Sequence, residues 1–285
     1  MEKIKIIVDS TCDLPREDIV ANGIVVMPLN VIFGDETYKD GVNITTDLLY
    51  KLVEQRGELP KTSAINEAQF SDVFRSYIEE GYKLIVFTLS SDMSCTCQNA
   101  RLAAAEFGRD NIKIIDSQNL STGIGLQILK CAKYIREGYS FEEIYQKCLA
   151  LRSKVRAQFC VEKLDYLHKG GRCSTTTKLF GTLLKIRPVI AVRNGKMAVD
   201  RKPIGKPVKG WQGVLEILKE DMAQHKIDLD NIFITNSQAP ESVEYLKSQL
   251  IQSFPESSIK VSNAGCVISS HCGPGTVGVL YILGD

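Results

Sequence analysis

Hydroxyls, carboxylates and one histidine gather at a few points of this chain, and their spacing limits the chemistry available. Asp9-Ser10-Thr11 follows one apolar run, Ser90-Ser91 through Ser94-Cys95-Thr96 follow a second, and Asp116-Ser117 follow a third. Each group stands where a strand pattern gives way to a helix pattern. Hydroxyls and free backbone N–H groups at helix N-termini attract anions. The same residue types are also common helix caps, and any single one reads equally well that way. Three such ends in one sheet favour an anion site. No Gly-Lys-Ser/Thr loop is present, and Gly123-Ile124-Gly125 lacks the third glycine of a dinucleotide loop. Hydroxyls without a lysine suit a small anion such as a carboxylate.

A second group lies near the C-terminus, where His271 precedes Cys272-Gly273-Pro274-Gly275. An isolated histidine is commonly a hydrogen-bonded structural residue. Cys266, His271 and Cys272 match no usual zinc spacing. Ser94 and His271 are the ingredients of an acyl hydrolase or transferase. Against that reading, the chain has no Gly-x-Ser-x-Gly elbow and no acid clearly assigned to orient the imidazole. Lys169-Gly170-Gly171-Arg172, Arg201-Lys202 and Lys206-Pro207-Val208-Lys209 form basic stretches, which are ordinarily solvated faces. The glycine pair also suits a helix C-cap.

The elements that must position these residues alternate in the first half. Residues 4–8, 25–32, 83–89 and 112–115 read as strands, with Pro28 weakening the second or placing it at an edge. A helix starts near Asp13 with Pro15 in its first turn. Another runs from about Ser91 through Ala105. A third follows Ser121, with Ile124, Ile128, Leu129, Ala132 and Ile135 on one stripe. Strands alternating with helices imply a parallel sheet covered by helices. Its ligands are expected beyond the carboxyl ends of the strands. The second half reads differently. Strands are expected at 157–161, 231–235, 258–262 and 276–283, with a hairpin over 188–199 turning at Asn194-Gly195. Helices are expected at 164–169, 177–185, 211–224 and 240–253. The fold class is therefore α/β in two domains, a parallel-sheet N-terminal domain (1–150) and a mixed α+β C-terminal domain (151–285).

With 285 residues, 44% of them hydrophobic, the chain is long enough for two medium domains. Thirty-five basic residues against 34 acidic ones give a net charge of +1, which points to neither a general nucleic-acid binder nor an acidic-membrane binder. No helix-turn-helix or zinc finger is recognisable. The apolar start of the chain stops at Asp9, too short for a signal-peptide core, and no run approaches a membrane span. A soluble cytoplasmic protein is expected, and nine cysteines without a Cys-x-x-Cys pair fit a reducing compartment.

Six segments in order resemble the motifs of one family. They are Asp9-Ser-Thr-Cys-Asp-Leu-Pro15, Lys61-Thr62-Ser63, Leu89-Ser-Ser-Asp-Met-Ser94-Cys-Thr96, Asp116-Ser117 with Ser121-x-Gly123, Leu164-Asp-Tyr-Leu-His-Lys-Gly-Gly-Arg172, and His271-Cys-Gly-Pro-Gly275. Together they resemble the DegV family, and the chain is similar to the acyl-binding subunit of bacterial fatty acid kinase. The resemblance implies two α/β domains with a long-chain fatty acid at their junction. It places the acyl chain in an apolar tunnel mainly in the second domain. The carboxylate would meet Thr62, Ser63, Ser94 and His271, with Cys95 beside it. It also implies a non-enzymatic carrier without a metal or cofactor, whose partner is an ATP-dependent kinase that makes the acyl phosphate. Arg172, Arg201 and Lys202 are then candidates for partner docking or acyl-phosphate contact. Transient contact with a membrane surface would serve lipid exchange. A protonated His271 is expected to help offset burial of the carboxylate. The chain departs from the family pattern at Cys95 (usually glycine), at Cys97 (usually aromatic) and at Ala64-Ile65-Asn66 (commonly x-Pro-Ser).

Overall fold

The computed structural model describes residues 2–108, 110–173 and 185–284. In chain order the elements are β1 (Ile4–Asp9), α1 (Arg16–Ala21), β2 (Val25–Met27), β3 (Asn30–Phe33), β4 (Glu36–Lys39), α2 (Thr46–Arg56), β5 (Lys61–Ser63), α3 (Glu67–Glu79), β6 (Lys83–Thr88), α4 (Thr96–Ala104), β7 (Ile112–Asp116), α5 (Thr122–Arg136) and α6 (Phe141–Leu151). There follow β8 (Val155–Cys160), α7 (Leu164–Gly170), β9 (Val189–Arg193), β10 (Lys196–Arg201), α8 (Val208–Gln224), β11 (Ile232–Ser237), α9 (Pro240–Leu250), β12 (Ile259–Asn263), α10 (Cys266–Cys272) and β13 (Thr276–Ile282). The helix expected over 177–185 falls almost wholly outside the described residues.

Strands β2-β1-β6-β7 form an all-parallel sheet. Its strands are buried on both faces, which is why they read as continuous apolar runs. Ile6, Val8, Ile85 and Phe87 face one core, while Ile7, Leu84 and Val86 face another. The second sheet, ordered β10-β9-β8-β13-β11-β12, is antiparallel except for the β11–β12 pair. Helix α5 lies between the two sheets. From Thr122 through Leu129 every residue is buried, because sheets cover the helix on two sides. Val214, Leu218, Leu246 and Leu250 of α8 and α9 cover the outer face of the second sheet. No described helix is long and apolar enough to cross a membrane.

Two features depart from expectation. The run at 25–32 is two strands, not one. The chain breaks at Pro28, leaves the parallel sheet, and enters a small antiparallel sheet ordered β4-β3-β5. That sheet carries Thr62 and Ser63. His271 stands in the last turn of helix α10, an element not expected from the sequence, and the turn expected after it begins at Gly273, whose φ is +78°.

Candidate functional site

A cavity of about 340 Å³ lies between the two main sheets, at the lower end of the roughly 300–1,000 Å³ usual for ligand pockets. Its wall is mostly apolar and comes from both halves of the chain. Leu29, Leu89, Met93 and Leu120 stand on one side, and Phe159, Leu167, Met197, Ile268 and Leu280 on the other. More of the lining comes from the second half than from the first, where loops beyond β6 and β7 supply part of the wall. Thr62, Ser63, Ser94, Cys95, Arg172 and His271 all line this one cavity, although they are scattered over more than two hundred positions. The thiol of Cys95 is exposed, in contrast to the other eight cysteines.

The three hydroxyls have a common arrangement. Asn30 Nδ2 donates to Ser63 Oγ at 2.9 Å. The backbone N–H of Thr96 donates to Ser94 Oγ at 3.2 Å, and Thr96 Oγ1 lies 2.9 Å from the same oxygen. His271 Nε2 is 2.9 Å from Thr62 Oγ1. A hydroxyl has one proton and two lone pairs. With nitrogen donors already on the oxygens, each hydroxyl keeps its own proton for a ligand. For Thr62 this holds in the imidazole tautomer protonated at Nε2, and for Ser94 when Thr96 is the donor of the pair. Such a site offers donors and suits an acceptor-only group, a carboxylate above all.

His271 is held against the end of α7. A Cβ built on Gly170 would lie 2.5 Å from His271 Nδ1, so only glycine lets the ring sit there. The second glycine, Gly171, takes φ +66° and caps the helix. Burial, reinforced by the positive charge of Arg172, pushes the imidazole down to about 4. Both causes favour the neutral ring at pH 7, and among the described residues its buried Nδ1 has no partner. Arg172 folds back over the mouth. It donates from Nη1 to Gly170 O at 2.7 Å and from Nε to Met93 O at 3.4 Å, tying α7 to the loop that carries Ser94.

The three sheet ends that suggested an anion site behave otherwise. Asp9 accepts from Thr11 N, Thr11 Oγ1 and Leu89 N. Asp116 accepts from Ser91 N, Ser91 Oγ and Gln118 N. Ser90 Oγ donates to Gly195 O at the tip of the β9–β10 hairpin. Asp13 accepts from Gly265 N and Ser121 Oγ, and Asp40 from Cys266 N and Ser10 Oγ. Burial raises Asp9, Asp13 and Asp40, and repulsion from Asp40 adds to the shifts of Asp9 and Asp13. The capping reading wins at these positions, and of the segment after β6 only Leu89 and Met93 to Cys95 reach the cavity. Polar groups elsewhere on the wall are also closed on one another. Thr122 pairs with Thr235, and Ser237 Oγ pairs with Ser269 Oγ and Tyr50 OH.

Arg201 and Lys202 do not line the cavity. Arg201 is paired with Asp200, Glu216 and Glu220. Among the described residues no group of three or more His, Cys, Asp or Glu side chains could hold a metal. Among the described residues His271 bonds Thr62 and not Ser94, and no carboxylate reaches its Nδ1, so they assemble no Ser-His-acid relay. Asn30, Met93 and the Gly170–His271 contact went unnoticed in the sequence. An asparagine inside the apolar run VVMPLNVI was the one signal available for the first of these.

The family model for DegV proteins matches residues 3–283. A DegV domain-containing protein of Clostridium acetobutylicum is 35% identical over 282 residues, covering 99% of each chain. One from Clostridium perfringens is 34% identical over 290 residues, again covering 99% of each. Among solved structures, a fatty-acid-binding DegV family protein from Thermus thermophilus superposes with a TM-score of 0.91 at 28% identity, covering 99% of both chains. A stearic-acid-binding protein from Eubacterium ventriosum gives 0.84 at 27% identity, covering 99% of this chain and 98% of that one. The chain belongs to the DegV family.

Proposed function

We propose that this protein binds one long-chain fatty acid, buries its acyl chain between the two halves, and holds the carboxylate on Thr62, Ser63 and Ser94 with the neutral His271 behind Thr62. The observation that carries this reading is the gathering of three hydroxyls, each with a hydrogen-bond partner on its oxygen, in the wall of one mostly apolar cavity. A chain of ~16 carbons gains about 0.8 kcal/mol per buried CH₂, before the costs of association. An unpaired buried carboxylate would cancel much of that gain. Three hydroxyl protons with Arg172 nearby offset it. We divide the chain near residue 150, with 1–150 supplying the hydroxyl loops and 151–285 the larger share of the apolar wall.

The carrier presents its ligand and leaves the chemistry to a partner, an ATP-dependent kinase that phosphorylates the carboxylate in the cytoplasm. Loading would involve brief contact with a membrane surface. Arg201, Lys202 and Arg172 are the proposed docking or acyl-phosphate contacts. The hydrolase or transferase alternative lacks an activated pair. Denaturing extraction of purified protein followed by mass spectrometry is expected to find a long-chain fatty acid near one per chain. Delipidated protein without affinity for such acids, or ester hydrolysis by the protein alone, would contradict the reading.

A further inference from the structure

We infer that Asn30 is a positioning residue of the head-group site, acting through Ser63 by occupying the hydroxyl oxygen and so reserving its proton for the carboxylate. The inference rests on the fatty-acid reading above. In the small sheet Asn30 stands directly opposite Ser63. Directly opposed residues of an antiparallel pair present their side chains on the same side. The amide Nδ2 reaches Ser63 Oγ at 2.9 Å. The backbone beside Asn30 is pinned. Leu29 N donates to Ser10 Oγ at 3.1 Å, Ser10 Oγ donates to the buried Asp40, and Leu29 O accepts from Asp40 N at 2.9 Å. The donor is therefore fixed in place before any ligand arrives.

The chemistry turns on the sign of the group at position 30. An amide nitrogen only donates, so Ser63 must point its proton elsewhere, and the cavity is where the other head-group residues converge. A carboxylate at position 30 only accepts. It would draw the Ser63 proton to itself and turn the oxygen lone pairs toward the ligand. The substitution is nearly isosteric and changes little else in a half-buried position.

The test compares hexadecanoic acid with hexadecan-1-ol on delipidated protein at pH 8, where an aspartate at position 30 is ionised. Wild type, Asn30→Asp, Ser63→Ala and the double variant are titrated with both ligands. Asn30→Asp is expected to weaken the acid at least tenfold and the alcohol less than twofold. Retained alcohol binding shows the fold and the acyl cavity to be intact. In the Ser63→Ala background the same change is expected to weaken the acid by less than threefold, because the hydroxyl it acts through is gone. Equal losses for acid and alcohol would overturn the inference in favour of a merely structural Asn30. An undiminished loss in the Ser63→Ala background would overturn it in favour of direct repulsion. A wild-type protein that binds no hexadecanoic acid would overturn the fatty-acid reading itself, and this role with it.

Discussion

Two polar regions lie close together in this molecule and are built from the same residue types. Around Asp9, Asp13 and Asp40, carboxylates pair with hydroxyls and with backbone N–H groups. At the mouth of the cavity, Asn30 occupies the Ser63 oxygen and leaves its proton free, and the same holds for Thr62 when His271 carries its proton on Nε2 and for Ser94 when Thr96 is the donor of their pair. The first region holds parts of the fold together, linking the end of β1 to the start of α10 across more than two hundred residues. The second is unfinished without a ligand. Polarity at a strand end is therefore not evidence of a site, whereas an unspent donor is.

The largest expected effect comes from opening the closed region. Asp13→Ala strands the Gly265 N–H and the Ser121 hydroxyl, each buried donor costing about 1–3 kcal/mol. A marked fall in melting temperature is expected, while Asp13→Asn, which keeps an acceptor and sheds a buried charge, stays near wild type. If Asp13→Ala melted like wild type, the contrast between the regions would fail. Ser94→Ala is expected to do the reverse. It weakens fatty-acid binding by about 1–3 kcal/mol through one lost charge-assisted hydrogen bond and barely moves the melt. Isothermal titration beside thermal denaturation separates the two patterns.

Titration gives a third, smaller effect. The unfolded chain holds a proton on His271 below its ordinary value of 6.5, and the folded chain does not until about pH 4. Between those values the unfolded state binds more protons, so this residue makes stability rise with pH across the window. The raised carboxylates Asp9, Asp13 and Asp40 act in the opposite direction above their ordinary value. The His271 contribution is therefore read as the difference between wild type and His271→Gln, which should shed that positive slope. Parallel stability curves for the two proteins would mean that the ring is not buried neutral. The smallest effect is that of Cys95→Gly. Cys95 is exposed at the N-cap of α4 and makes no capping bond, so glycine should leave the melt within a few tenths of a kcal/mol and fatty-acid binding at least as tight. Weaker binding by Cys95→Gly would mean that the thiol supports the head group.

How much of this was legible in the sequence follows from the same physics. Long apolar strands such as β1 and β6, and the Asn194-Gly195 hairpin with both residues at positive φ, carry local signals and were readable. In the small sheet β3 was legible only as the tail of the run at 25–32, and β4 and β5, four and three residues long, left no pattern. Helix α10 reads CVISSHC, built of β-branched residues, serines and cysteines that favour helix weakly. It forms where Asp13 and Asp40 hold its first N–H groups, a signal lying more than two hundred positions away. Thr62, Ser63, Ser94 and His271 could be named from their resemblance to family motifs, but the neutral state of His271 could not, because burial is not written in a motif. The same limit hid Asn30, whose meaning depends on the residue opposite it.

The central claim is that the mouth holds an ionised carboxylate on hydroxyl protons. Carbon-13 NMR of hexadecanoic acid labelled at its carboxyl, bound to the delipidated protein and followed over pH, reads that state directly. The bound carboxyl is expected to stay ionised through neutral pH and to take up its proton only below the ordinary carboxylic-acid value of about 4. A bound carboxyl already protonated at pH 7, or one titrating as it does in water, would contradict the donor-only mouth.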